Sequence, residues 1–86
     1  MSYEKVKQAD KTIIGTKQAV KAARNGSLSE IIVAMDAEMH VIAPVLEAAK
    51  QHGIPVSYVP SKQMLGKVAG LRVNASVVAI TDSRFL

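Results

Sequence analysis

The apolar residues fall in short blocks whose spacing changes from one block to the next, and that change predicts a series of alternating elements. Ser2 to Ala9 reads as a short charged helix. Thr12-Ile13-Ile14 is a β-branched run that stops at Gly15, and Lys17 to Arg24 then has helical character, with Asn25-Gly26 as its stop. Glu30 to Met35 is continuously apolar after its first residue, the pattern of a strand covered on both faces. From Met39 to His52, Val41, Ile42, Val45, Leu46 and Ala49 recur at helical spacing and Gly53 closes the segment. Proline is best tolerated in a first turn, so Pro44 sets the start of the regular helix at about Val41.

Pro55 to Pro60 predicts a strand bracketed by prolines, and Ser61 is a suitable N-cap for a helix from Lys62 to about Ala69, ended by Gly70. After the loop Leu71-Arg72-Val73-Asn74, Ser76 to Ile80 supplies a last buried strand before a polar tail. Strands alternating with helices, with strands apolar on both faces, predict an α/β fold: a three-layer α/β/α sandwich around a small central mixed sheet. At 86 residues, with no repeat or linker, residues 1–86 are expected to form one domain.

Composition narrows the chemistry. Almost half of the residues are apolar but only three are aromatic, so the core must be built from Val, Ile, Leu, Ala and Met. The absence of cysteine removes disulfides, thiolate metal sites and thiol nucleophiles. No apolar run reaches the roughly 20 residues of a membrane helix, and the polar Met1-Ser2-Tyr3-Glu4-Lys5 start does not open a signal peptide. The expectation is a soluble, cytoplasmic protein with no membrane partner.

The net charge of +4 is unevenly placed. Lys5, Lys7, Lys11, Lys17, Lys21 and Arg24 dominate the first 25 residues, and Lys62, Lys67, Arg72 and Arg84 the last 26, whereas Glu30, Asp36, Glu38 and Glu47 outweigh Lys50 between them. A fold that joins the two ends creates a positive surface suited to phosphates.

The most informative stretch is Gly15-Thr16-Lys17-Gln18-Ala19-Val20-Lys21, a Gly-Thr turn that opens directly into a helix. Ala19, Val20, Ala22 and Ala23 should face the sheet, leaving Lys17, Lys21 and Arg24 stacked on the opposite face with Gln18 beside them. Free N–H groups and the positive dipole end of a helix N-terminus attract phosphate oxygens, and glycine allows close approach to the backbone. Gln18 carries both a donor and an acceptor for a base edge. An ordinary amphipathic helix with a Thr cap and a solvated basic face accounts for the same residues.

Asp36, Glu38 and His40, with His52, are the only candidates for a metal or acid–base site. Their segment reads as a strand-to-helix turn, with Asp36 as a turn or cap residue. With no nucleophile, second carboxylate pair or phosphate loop, the chain is expected to be no enzyme and to take no cofactor, metal or small-molecule substrate.

Four ordered blocks, GTKQAVKAARNG, IIVAMDA, GIPVSYVPSKQMLGKVAG and LRVNASVVAI, resemble the kink-turn RNA-binding proteins. That family includes an archaeal large-subunit ribosomal protein, core proteins of box C/D and H/ACA ribonucleoproteins, and small bacterial homologues, which this chain resembles most. The resemblance spans roughly residues 12 to 80, and Pro-Val-Ser-Tyr-Val-Pro-Ser-Lys followed by Leu65-Gly66 is its most specific part. It implies a three-layer fold that binds a kink-turn, an RNA bend built on tandem sheared G·A pairs, with ribosomal RNA among the candidate targets. Carried over, Gly15, Thr16, Lys17, Gln18 and Lys21 approach the guanines and backbone at the bend, with Arg24 on the same face. Leu71, Arg72 and Val73 pack on unstacked nucleotides, and Lys62 adds a peripheral phosphate contact. Leu71 and Val73 sealing the core edge, with Arg72 in water, fits that loop equally well. Many relatives have Asn-Glu where this chain has Lys17-Gln18, a pair similar to that of small bacterial members, and the change shifts recognition toward phosphate contacts. A monomer is expected when RNA is absent. The competing expectation is a protein-interaction module of a larger ribonucleoprotein whose basic face binds RNA only non-specifically.

Overall fold

The computed structural model describes residues 2–9 and 11–82; the polar tail beyond Asp82, with Arg84, and the acid Asp10 lie outside the described residues. The elements run α1 (Ser2–Gln8), β1 (Thr12–Ile14), α2 (Thr16–Arg24), β2 (Leu28–Ala34), α3 (Met39–His52), β3 (Val56–Val59), α4 (Lys62–Val68) and β4 (Val77–Thr81). The strands form one sheet in the order β1-β4-β2-β3, with β4 antiparallel to both β1 and β2, and β3 parallel to β2.

Alternation along the central strands divides the core in two. Ile31 and Val33 of β2, with Val77 and Ala79 of β4, meet Ala19, Ala22 and Ala23 of α2 and Ile42, Val45 and Ala49 of α3. Ile32, Ala34 and Val78 point the other way, onto Val6 of α1 and Leu65 of α4, with Val59 and Ala75. Residues 31 to 34 are all 0% exposed, so the unbroken apolar run follows from a strand with helices on both sides. The expected α/β/α sandwich with a small mixed sheet is therefore the observed one.

Helix α1 is fastened to the second layer at two points. The Tyr3 hydroxyl accepts the Ser61 N–H at 3.0 Å and donates to the Ser61 carbonyl at 3.4 Å, while Lys5 pairs with Glu30 at 3.0 Å. Ser57 donates its hydroxyl to the same Glu30 carboxylate.

The structure departs from the sequence expectation at several points, and β2 starts earlier than expected, at Leu28 rather than Glu30. The α3 helix begins at Met39 rather than Val41 and carries Pro44 in its interior. The missing Pro44 N–H leaves the carbonyl of exposed His40 to water, where the loss is small. Met35 leaves the strand and stands 67% exposed, since β2 ends at Ala34. Val20, expected to face the sheet, is only half-buried and lines grooves with Pro44 and Ala48 of α3.

Candidate nucleic-acid interface

Because β1 and β2 each run antiparallel to β4, and β3 parallel to β2, the ends of β1, β2 and β3 and the start of β4 share one edge of the sheet. The four connections there are hydrogen-bonded into a single platform. Gly15 N–H donates to the Val77 carbonyl at 3.1 Å, Ala34 N–H to Ser76 at 2.9 Å, and Met35 N–H to Val59 at 2.7 Å. Ala75 N–H donates to the Lys62 carbonyl at 3.0 Å. The Asp36 carboxylate accepts the Lys62 N–H at 2.9 Å, so the β2–α3 turn caps the start of α4, beside the local cap from Ser61 to Met64 N–H at 3.1 Å.

Gly15 occupies the N-cap of α2 at φ 98°, ψ 156°, a conformation that side chains disfavour. Its carbonyl receives the first helical bond, from Ala19 N–H at 3.0 Å, which leaves the N–H groups of Thr16, Lys17 and Gln18 with no intrahelical acceptor. No side chain caps this end. Thr16 lies inside the helix and its hydroxyl donates to the Val41 carbonyl at 3.2 Å, tying α2 to α3 rather than closing its own helix. The exposed N–H groups and the dipole therefore remain directed outward from the α2 start.

Lys17, Gln18, Lys21 and Arg24 are exposed while Ala19, Ala22 and Ala23 are buried, as their spacing requires. Small alanines let α2 lie close on the sheet and α3, so the long cationic side chains project beyond the surface. From Lys17 to Arg24 the helix advances about 10 Å, so the cations form a line leading away from the α2 N-terminus. An open groove along the α3 flank is lined by Thr16, Lys17, Gln18, Val20, Lys21, Arg24 and Pro44. Arg24 is at the far end of that line, where it also lines a groove with Glu47 and Gln51.

The loop after α4 separates the two readings of its apolar residues. Leu71 is half-buried against the second core layer, whereas Val73 is 69% exposed and Arg72 is exposed. Lys62 is half-buried at the start of α4, and Gly15 to Gln18, Lys62 and the 71–73 loop all belong to the same edge.

The acidic candidates do not assemble. Asp36 is engaged by the Lys62 N–H, Glu38 and His40 form an exposed pair at 3.2 Å, and His52 is twelve residues along α3, roughly 18 Å away at the helical rise. Among the described residues no three His, Cys, Asp or Glu side chains gather as metal ligands.

Two residues matter more than the sequence reading allowed. Asp36 supports Lys62 directly, a link that only the tertiary fold creates. Gly66 is buried where a Cβ would stand 2.1 Å from the Val73 carbonyl oxygen, so it is the seat on which the exposed loop rests. Its signal was present: glycine inside a helix is unfavourable by about 1 kcal/mol relative to alanine, and its presence points to a close contact.

Comparison with known proteins places this geometry. The chain is 51% identical over 80 residues to an RNA-binding protein of Geobacillus sp. (strain WCH70), covering 93% of this chain and 98% of the relative. It is 48% identical to the RNA-binding protein YbxF of Geobacillus stearothermophilus, with the same coverage. Among solved structures, the Giardia lamblia 15.5kD RNA binding protein superposes with a TM-score of 0.87 at 25% identity, covering 99% of this chain and 74% of that one. A Bacillus halodurans protein of unknown function gives a TM-score of 0.81 at 30% identity, covering 96% and 83%. The family profile matches residues 2–86, and the chain belongs to the ribosomal protein L7Ae/L30e/S12e/Gadd45 family.

Proposed function

We propose that this protein is a non-enzymatic RNA-binding protein that recognises and stabilises the kink-turn, gripping the bend with the α2 N-terminus and the 71–73 loop. The observation that carries the reading is the arrangement at one sheet edge. An uncapped helix start at Gly15 lies on the same hydrogen-bonded platform as Lys62 and the exposed Val73. Relatives named as RNA-binding proteins support it.

The two parts of the edge offer different chemistry. The free N–H groups of Thr16, Lys17 and Gln18, with the Lys17 and Lys21 ammonium groups, suit phosphates brought close together by a bend. The Gln18 amide can meet a guanine edge as a neutral acceptor and donor, without the anionic strength of a glutamate. Val73 offers an apolar surface to a base that the bend has unstacked, with Arg72 and Lys62 beside it for flanking phosphates. Recognition by shape follows because only a bent RNA presents paired phosphates and an unstacked base to one edge at once. Kink-turns in ribosomal RNA are among the candidate targets, and the protein acts as a cytoplasmic monomer until it meets RNA.

The test is equilibrium titration with a kink-turn RNA and with the same RNA after replacement of its G·A pairs, across a range of salt. Four neutralised phosphates give a log–log salt slope of about −3 to −4. A clear preference for the intact kink-turn is the expected result. Equal, salt-sensitive binding to both RNAs would reduce the surface to a generic basic one, and binding to neither would favour a protein-interaction role.

A further inference from the structure

The second flank of α2 carries a groove that shares Gln18 and Lys21 with the kink-turn grip and extends past them to residues the grip does not use. It runs between α2 and the edge strand β1, and its polar lining includes Lys11, Thr12, Gln18, Lys21 and Asn25. We propose that this groove is a second track for the RNA backbone, with Lys11 as its outermost cation, so that one arm of the bent RNA continues past α2 along the β1 edge. The proposal rests on the kink-turn reading and extends it to a residue outside the family-like corner.

The hydrogen-bond register supplies the first argument. Thr81 N–H donates to the Lys11 carbonyl at 3.2 Å and Gly15 N–H to the Val77 carbonyl at 3.1 Å, with Ile13 opposite Ala79 between them. Hydrogen-bonded positions alternate along an antiparallel pair, so Thr12 and Ile14 direct their N–H and C=O groups away from β4. Because β1 is the last strand of the sheet on that side, these groups open onto the groove. Backbone donors, the Gln18 and Asn25 amides and two ammonium groups thus line one channel.

Charge selects the occupant. The ionisable side chains lining the groove are Lys11 and Lys21, both cations. At one end the Asp82 backbone N–H donates to the Ser27 carbonyl at 2.8 Å. A polyanion with many acceptors matches this surface, and the 2′-hydroxyls of RNA can use the outward carbonyls of β1. An added protein strand is the weaker match, since β1 is three residues long and flanked by lysine, features that discourage strand addition. Continuity supports the same choice: Gln18 and Lys21 also line the groove on the α3 flank, so the two tracks meet at these two side chains.

The experiment titrates wild type, Lys11→Ala, Lys11→Glu and the control Lys50→Glu against a kink-turn RNA with two long arms, and against versions with either arm trimmed. Lys11 contacts β4 through its backbone carbonyl, so these substitutions leave the strand pairing in place. Lys11→Glu is expected to weaken binding five- to tenfold and Lys11→Ala two- to threefold, and the Ala variant to reduce the log–log salt slope by about 0.9. The Lys11 effect disappears when one particular arm is trimmed, and Lys50→Glu changes little. Wild-type affinity in Lys11→Glu, an equal loss in Lys50→Glu, or a Lys11 effect indifferent to both trimmings would overturn the second track while the kink-turn preference stands. Loss of the preference in wild type would instead overturn the reading beneath it.

Discussion

Gly66→Ala sets two opposed effects against each other, and the structure decides between them. On helix propensity alone the change is favourable by about 1 kcal/mol, because alanine loses less backbone entropy in a helix. The new Cβ, however, would lie 2.1 Å from the Val73 carbonyl oxygen, 3.1 Å from its carbonyl carbon and 3.2 Å from the Ala75 nitrogen. All three are backbone atoms, so no side-chain rotation relieves the clash, and the loop must retreat by more than 1 Å from α4, since ordinary van der Waals contact of a Cβ begins at about 3.4 Å. That movement strains the Leu71 N–H to Gly66 carbonyl bond at 2.9 Å and the Ala75 N–H to Lys62 carbonyl bond at 3.0 Å. Losing both costs about 2 kcal/mol and overpacking adds about 1 to 3 kcal/mol, against which the propensity gain is smaller. The net destabilisation is about 2 to 4 kcal/mol, which lowers Tm by roughly 10 to 25 °C in a domain of this size. Thermal unfolding followed by circular dichroism measures it, and a titration below the lowered midpoint reads the second consequence, a reduced preference for intact over G·A-replaced RNA. A variant as stable as wild type or more stable would show that propensity governs the site and that the loop does not rest on Gly66.

Four further outcomes follow from other parts of the structure. Lys21→Ala should weaken kink-turn binding at least fivefold more than Lys50→Ala, measured by fluorescence anisotropy, because Lys21 stands at the junction of both α2 grooves; equal effects would move the site. Leu71→Ala should reduce stability by about 1 to 2 kcal/mol for a half-buried leucine, whereas Val73→Ala should leave Tm nearly unchanged and weaken RNA binding, since Val73 is 69% exposed. Thr16→Val removes the hydroxyl bond to the Val41 carbonyl and should cost about 1 kcal/mol in chemical denaturation; an unchanged midpoint would mean that the α2–α3 tie contributes nothing. Sedimentation without RNA should be independent of dilution, as for a monomer, and a concentration-dependent coefficient would contradict that.

The layered fold was legible because its signals are local. The unbroken Ile31-Ile32-Val33-Ala34 run required cover on both faces, and Gly53 stands in the left-handed conformation that ends α3 at φ 64°. The strand order β1-β4-β2-β3 was not legible, since the pairing of β4 between β1 and β2 joins residues more than forty positions apart. Pro44 misled the reading of α3: the rule against interior prolines weighs a lost hydrogen bond, and here the carbonyl concerned belongs to exposed His40, where water replaces it. At the candidate site the basic face of α2 followed from spacing alone. The different environments of Leu71 and Val73 did not, because apolar residues two apart in a loop carry no period that assigns one to the core. Asp36 likewise read as a turn residue, and only the tertiary fold reveals that it caps a helix twenty-six positions away.

The central claim is that this edge stabilises a bend rather than merely attracting phosphate, and donor–acceptor energy transfer across the two arms of a kink-turn RNA tests it most directly. In a buffer without divalent ions, where the free RNA is extended, adding protein should bring the arms together with one-to-one saturation. The same RNA with its G·A pairs replaced should show little change. Saturating binding with no approach of the arms, or equal approach in both RNAs, would contradict the account.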